Sequence, residues 1–222
     1  MRLICILFIC TALTVSFNSL AGESSFAKDG FFIGYFFTDN SITGDFDRKT
    51  VLTSSTEIVL VPKVESGQGS DFVLGVREKA VTYEFHYMSS KHDVTFLDAK
   101  GEAEYSAWSL DIKGYFLSKK RFQPFIGIGL IFPDLKVKDA GATSTSSGEI
   151  MSGDATFISG PAVNWSGGIA VFISPRVSVQ LGVTYHNFDI KSVKGASGIT
   201  RQLKDKINAS STKYLAGLTF TF

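Results

Sequence analysis

The sequence predicts an all-β chain: an eight-stranded antiparallel up-and-down transmembrane β-barrel. Three observations lead there. Apolar residues alternate with small or polar ones at period 2 through most of the 222 residues. The connections between these runs are short and long by turns. The opening segment has the layout of an export signal.

That opening comes first in order. Met1-Arg2 is a short positive start, and residues 3–15 are almost wholly apolar. Ser19 and Ala21 place small residues at −3 and −1 of a cut before Gly22. The apolar run is too short for a spanning helix, which needs about 20 residues. Cleavage at Cys10 as a lipoprotein is disfavoured by the bulk of Ile9. The expected organisation is therefore a signal peptide over residues 1–21 and a barrel domain over 22–222. The cut removes both cysteines, Cys5 and Cys10, so disulfides and cysteine-based zinc sites are not expected in the exported form. It also removes Arg2 and leaves acids and bases balanced. With 22 basic and 21 acidic residues overall, the chain has no electrostatic footprint for nucleic acid.

Eight strand-like runs follow, over residues 30–38, 71–77, 79–89, 102–117, 122–132, 161–173, 176–188 and 211–222. None carries a 3.6-residue apolar stripe. Tight turns near Glu78, at 118–121 and at 174–175 join the second to third, fourth to fifth and sixth to seventh runs. The remaining connections, 39–70, 90–101, 133–160 and 189–210, are long and polar. Residues 141–153 are close to low complexity, and mobility is expected there. Short turns at one end and long loops at the other are the layout of a bacterial outer-membrane barrel. Within the first long connection, residues 48–53 and 57–62 read as a hairpin extending the wall above the membrane. Pro62 disfavours a central strand, so eight spanning strands are kept rather than ten.

The two faces of each strand differ. Tyr83, Phe85 and Tyr87 oppose Thr82, Glu84 and His86. Trp108, Leu110 and Ile112 oppose Ser109, Asp111 and Lys113. Tyr214, Ala216, Leu218, Phe220 and Phe222 oppose Lys213, Gly217, Thr219 and Thr221. In a soluble barrel the apolar set points inward. In a membrane barrel it meets lipid, and the small and polar set fills a narrow lumen. Aromatic residues fall into two bands. Tyr87, Trp108, Phe132, Trp165, Tyr185 and Tyr214 lie toward the long loops, and Phe31, Phe116, Phe122, Phe220 and Phe222 toward the short turns, as interfacial girdles require.

The C-terminal run, with apolar residues at Tyr214, Ala216, Leu218, Phe220 and a terminal Phe222, resembles the strand by which outer-membrane barrels are recognised for insertion. Residues 30–35 (GFFIGY), 121–129 (RFQPFIGIG) and 165–171 (WSGGIAV) followed by 175–179 (PRVSV) resemble strands and hairpins of small barrels. The chain is similar to the OmpA/OmpX-like small β-barrel group, which includes opacity-type surface proteins. It is expected to depart from full OmpA-type proteins in lacking the peptidoglycan-binding domain.

The resemblance implies a lumen filled by a polar network, here Arg77, Glu84, His86, Asp111, Lys113, Gln180, His186 and Lys213. Tyr214, Leu218, Phe220 and Phe222 carry the insertion signal toward the barrel-assembly machinery. It also implies a monomer in outer-membrane lipid at the bacterial surface, without cofactors. The expected function is envelope structure or surface interaction, such as adhesion or host-factor binding, through four long loops. A narrow porin-like channel is the alternative. A lipid A-modifying enzyme ranks third. Deacylase-type barrels carry His-x-Ser, whereas His86 and Ser89 stand three residues apart and on opposite faces of a strand. The three histidines, His86, His92 and His186, show no metal-ligand spacing. No catalytic and no metal residue is therefore assigned.

Overall fold

A computed structural model describes residues 25–52, 58–96, 99–143, 150–195 and 198–222. The expected signal peptide lies outside them. The described chain forms β1 (Gly30–Gly44), β2 (Arg48–Val51), β3 (Ile58–Val61), β4 (Lys63–Glu78), β5 (Val81–Phe96), β6 (Ala99–Tyr115), β7 (Phe122–Thr143), β8 (Ile150–Ser159), β9 (Ala162–Ser174), β10 (Val177–Lys194) and β11 (Thr200–Thr221). Eight of them close a ring in the order β1, β4, β5, β6, β7, β9, β10, β11, and β11 pairs back onto β1. Every pairing is antiparallel. Closure removes the sheet edges that an open sheet would leave unpaired.

The eight predicted crossings are present, and among the described residues most of each long connection is strand rather than loop. Residues 90–96 continue β5, 99–101 begin β6, and 133–143 continue β7. The segment 202–209 is part of β11. Where β9 stops, β8 takes its place in the wall between β7 and β10. The wall therefore rises well past the aromatic band. Residues 141–143 and 150–153 are hairpin arms paired in register, Thr143 with Ile150. The tip of that hairpin, residues 144–149, lies outside the described residues.

The predicted hairpin in the first long connection is present as β2 paired to β3, Arg48 with Val61 and Val51 with Ile58. It does not extend the wall. It is a separate two-stranded sheet, bridged to β11 at Leu52–Leu203 and lying against β7 on its other arm. Leu52 and Val61 are buried in the barrel interior. The hairpin thus spans the mouth from one wall to another.

The outward alternation holds as expected in the lower half. Phe31, Tyr35, Phe37, Tyr87, Leu110, Trp165, Leu181, Tyr214 and Leu218 are all exposed. Trp108 stacks on Phe132 with centroids 3.9 Å apart. Val81, in the same alternation phase as Tyr83, Phe85 and Tyr87, is instead buried where the wall meets the turn at Lys79–Ala80. Inward-facing glycines make room for rings. A Cβ on Gly75 would meet the Phe32 ring, and one on Gly217 would meet Phe36 and the backbone of Tyr35.

Candidate functional site: a doubly sealed lumen

Strands β4, β5, β6 and β11 aim their charged residues at one point inside the barrel. Asp71 accepts from Lys213 Nζ at 2.6 Å and faces His86 Nδ1 at 3.1 Å. The other ring nitrogen, Nε2, lies 2.8 Å from Glu84 and 3.3 Å from Asp111. Lys113 Nζ donates to Glu84 at 2.6 Å, and Thr82 Oγ1 donates to the same carboxylate. Ser109 donates to Asp111. With carboxylates on both ring nitrogens, His86 satisfies both only as the imidazolium. Three cations then balance three carboxylates. All six side chains are buried, and buried charge persists only when paired in this way.

Beneath this cluster Arg77 closes the short-turn end. Its guanidinium donates to Gln123 Oε1 and to the Lys79 carbonyl, and lies 4.4 Å from the Tyr115 ring centre. Gln123 in turn donates to the Ser118 and Lys120 carbonyls in the β6–β7 turn. Phe26 and Ala27 pack there with Tyr115, Phe125 and Phe172, tied down by Phe26 N–H on the Ser118 carbonyl and Lys28 N–H on the Pro175 carbonyl.

Of the predicted lumen residues, Glu84, His86, Asp111, Lys113 and Lys213 come together, and Arg77 sits apart at the turn end. Gln180 and His186 are buried inward but belong elsewhere. Gln180 reaches Thr219 only at 3.4 Å. His186 Nε2 meets the Tyr105 hydroxyl at 2.8 Å beside the Phe188 ring. Asp71, the carboxylate that joins Lys213 to His86, is absent from the predicted set. It opens its predicted run, and the face shared by 71, 73, 75 and 77 was assigned only at Arg77. Tyr214, Leu218, Phe220 and Phe222 point outward along β11, the closing strand. Phe222 N–H bonds the Phe31 carbonyl, and the two rings lie 5.9 Å apart.

Higher in the lumen is a second arrangement that the sequence reading did not single out. Ser90 Oγ lies 2.8 Å from His92 Nε2, and His92 Nδ1 lies 2.8 Å from the Glu65 carbonyl. The carbonyl can only accept, so Nδ1 carries the proton and Nε2 accepts from Ser90. This is the spacing of a nucleophile and its base. Both side chains are almost wholly buried, and Tyr105 stands edge-on to the imidazole. Asn40 Nδ2 donates to Ser90 Oγ, and Ser211 donates to Asn40. The pair therefore stitches β1, β4, β5 and β11 together. The signal in the sequence is a same-face Ser-x-His, the reverse of the His-x-Ser order of deacylase-type barrels.

Above that level the interior turns apolar. Ile42, Leu52, Val61, Val94, Tyr105, Leu135, Phe157, Ile190, Leu203 and Ile207 belong to one buried cluster. The lumen is thus sealed twice, by salt bridges below and by a packed apolar core above.

No family model matches the sequence. No curated protein matches it. Solved structures do match in fold. The outer membrane protein OprG from Pseudomonas aeruginosa is 16% identical, with a TM-score of 0.54, over 88% of this chain and 97% of that one. The outer membrane protein AlkL in lipid bilayers is 13% identical, with a TM-score of 0.51, over 91% and 94%. Neisserial surface protein A is 12% identical, with a TM-score of 0.50, over 87% and 97%. In fold, the chain is an eight-stranded antiparallel β-barrel of the kind found among small outer-membrane proteins.

Proposed function

We propose that the chain is an integral outer-membrane barrel, non-enzymatic and with a closed lumen, that serves envelope structure or surface interaction through the wall and rim of its distal half. The belt supports the membrane placement. From Tyr214 to Phe222 the outward residues of β11 cover roughly 27 Å along the strand. For a strand tilted by about 40° that is roughly 21 Å along the normal, close to the apolar height of about 25 Å in such barrels. In this reading export follows cleavage near Ala21, β11 is the strand offered to the barrel-assembly machinery, and outer-membrane lipid surrounds a monomer. The finer kinship, with the OmpA/OmpX-like group and its opacity-type members, rests on the terminal strand and hairpin motifs. Adhesion or host-factor binding belongs at the rim.

The observation that carries the closed-lumen reading is the double seal. A charged cluster alone leaves room for a narrow path between paired groups. An apolar core stacked on it excludes water and ions. Single-channel conductance of the refolded chain in a planar bilayer tests this, with Glu84→Ala and Lys113→Ala alongside. The expected result is a silent barrel in all three. Steady conductance that shifts in the two variants would give the narrow porin-like channel instead.

A further inference from the structure

The outer wall over β10, β11 and β1 carries two grooves, one above the other. The lower, about 620 Å³, is lined mainly by Phe37, Leu181, Tyr214 and Ala216, with Asp39 and Gln68 at its β1–β4 edge. It arises because Ala216, the small outward residue between Tyr214 and Leu218, pairs with Leu181 on one side and Phe37 on the other. The upper groove, about 530 Å³, includes Asp45, Gly160, Pro161, Asn187, Lys191 and Asn208 in its lining. It lies at a break in the wall. β10 passes from Asn164 of β9, opposite His186, to Ser159 of β8, opposite Ile190. Residues 187–189 face Gly160 and Pro161 without ladder pairing on that side. A Cβ on Gly160 would meet nothing within 4 Å. The polar rim is organised, with Asn208 Nδ2 donating to Asp45 and Lys206 to Asp189. Along β11 the two grooves are about 13 Å apart, from Tyr214 to Ser210.

Above both, the distal ends of β10 and β11 are basic. Lys191, Lys194 and Lys204 are exposed there, beside the Lys206–Asp189 pair and against Asp205. Outside that pair, three lysines against one carboxylate form a local surplus in a chain whose overall formal charge is +1.

An apolar groove within the belt, a polar groove just beyond the aromatic band and a basic patch above them match, in that order, an acyl chain, a sugar and a phosphate. We propose that this stripe binds one anionic glycolipid of the outer leaflet. Its acyl chain lies along Ala216, its sugar hydroxyls meet Asp45, Asn187 and Asn208, and its phosphate meets the lysines of the β10–β11 hairpin. The site rests on the outer-membrane reading above.

The test folds the full chain into phosphatidylcholine vesicles holding a diphosphorylated glucosamine-disaccharide lipid, its dephosphorylated form, or phosphatidylglycerol. Native mass spectrometry then counts the lipid retained through detergent washing. Folding is checked separately by heat-modifiable gel migration. One diphosphorylated lipid per chain is expected, in preference to the other two. Lys191→Gln, Lys194→Gln and Lys204→Gln together should lower its retention roughly tenfold or more, and added salt should mimic them. Ala216→Trp should weaken both glycolipids alike by filling the lower groove. A folded chain that holds all three lipids equally, unchanged by either variant, overturns the site and leaves the barrel standing. A chain that does not fold into the vesicles at all overturns the membrane reading and the site with it.

Discussion

Below the upper aromatic band the strands turn most of their apolar residues outward, with a few rings such as Phe32, Phe36 and Phe125 packed inside; above it the same strands turn them inward. In β7 the outward set is Ile126, Ile128, Leu130 and Phe132, and the inward set higher up is Leu135 and Val137. In β11 Leu218, Ala216 and Tyr214 face out, while Ala209 and Ile207 face in. The ladder between β6 and β7 runs through this change without a slip, from Tyr115–Phe125 to Ala103–Val137. Backbone hydrogen bonding therefore does not mark the boundary. On the outer-membrane reading proposed above, the solvent does: each half buries or exposes what its surroundings favour, lipid around one and water around the other. One continuous wall is two barrels of opposite polarity, and the lumen inherits a salt-bridge seal from the first and an apolar seal from the second.

The two seals differ in how they fail. Asp71→Asn should have the largest effect, a loss of about 3–5 kcal/mol, because it leaves Lys213 and His86 buried against a neutral amide. Adding Lys213→Met in the same chain should recover much of that loss, since the coupled pair is then removed together. Urea unfolding from vesicles, run as a double-mutant cycle, measures both. Additive losses would mean that the charged seal does not act as a unit.

Matched truncations come next. Leu135 is 1% exposed and packs in the distal core, while Leu218 is 56% exposed on the belt. Leu135→Ala should cost about 3 kcal/mol or more, since a cavity remains where rigid neighbours cannot collapse. Leu218→Ala should cost about 2 kcal/mol, the transfer of the lost carbons alone, because lipid chains flow into the space. The difference between the two unfolding free energies in vesicles is the cavity contribution. Equal losses would mean that the outer face of the belt is packed against something less fluid than lipid.

The same inversion explains which parts of the molecule were legible in the sequence. Alternation marked all eight crossings, because within the belt each strand keeps one apolar phase. At Phe132–Pro133 in β7 and between Ala209 and Tyr214 in β11 that phase flips, and a flip reads as the end of a strand. The extensions through Lys136–Lys138 and Ile190–Lys194 thus read as polar loops, although each is an amphipathic strand of the opposite sense. Glu84, His86, Asp111, Lys113 and Lys213 are legible because each falls on the polar phase of a clear alternation. Asp71 was missed at the margin of a run. Ser90 and His92 were missed because they lie past the flip, where no face had been assigned. That His86 lies between Asp71 and Glu84, while His186 meets Tyr105, depends on how far the strands are staggered around the ring, which no single strand records.

The smallest expected effect sits on the outer face of the distal half. Lys136 and Asp154 form a 2.9 Å pair across β7 and β8, each side chain nearly half exposed. Exposed pairs of this kind contribute little and are screened by salt. Lys136→Ala should leave the unfolding midpoint in vesicles unchanged at physiological ionic strength. The matching change in the belt is Leu218→Arg, which should be destabilising by about 2–4 kcal/mol if that residue lies near the bilayer midplane. The two substitutions probe one outer wall at two heights. A silent Lys136→Ala beside a costly Leu218→Arg puts the water–lipid boundary between them, at the aromatic band. A costly Lys136→Ala that salt does not relieve would mean that the distal wall is covered too, and the boundary would have to move up past Lys136.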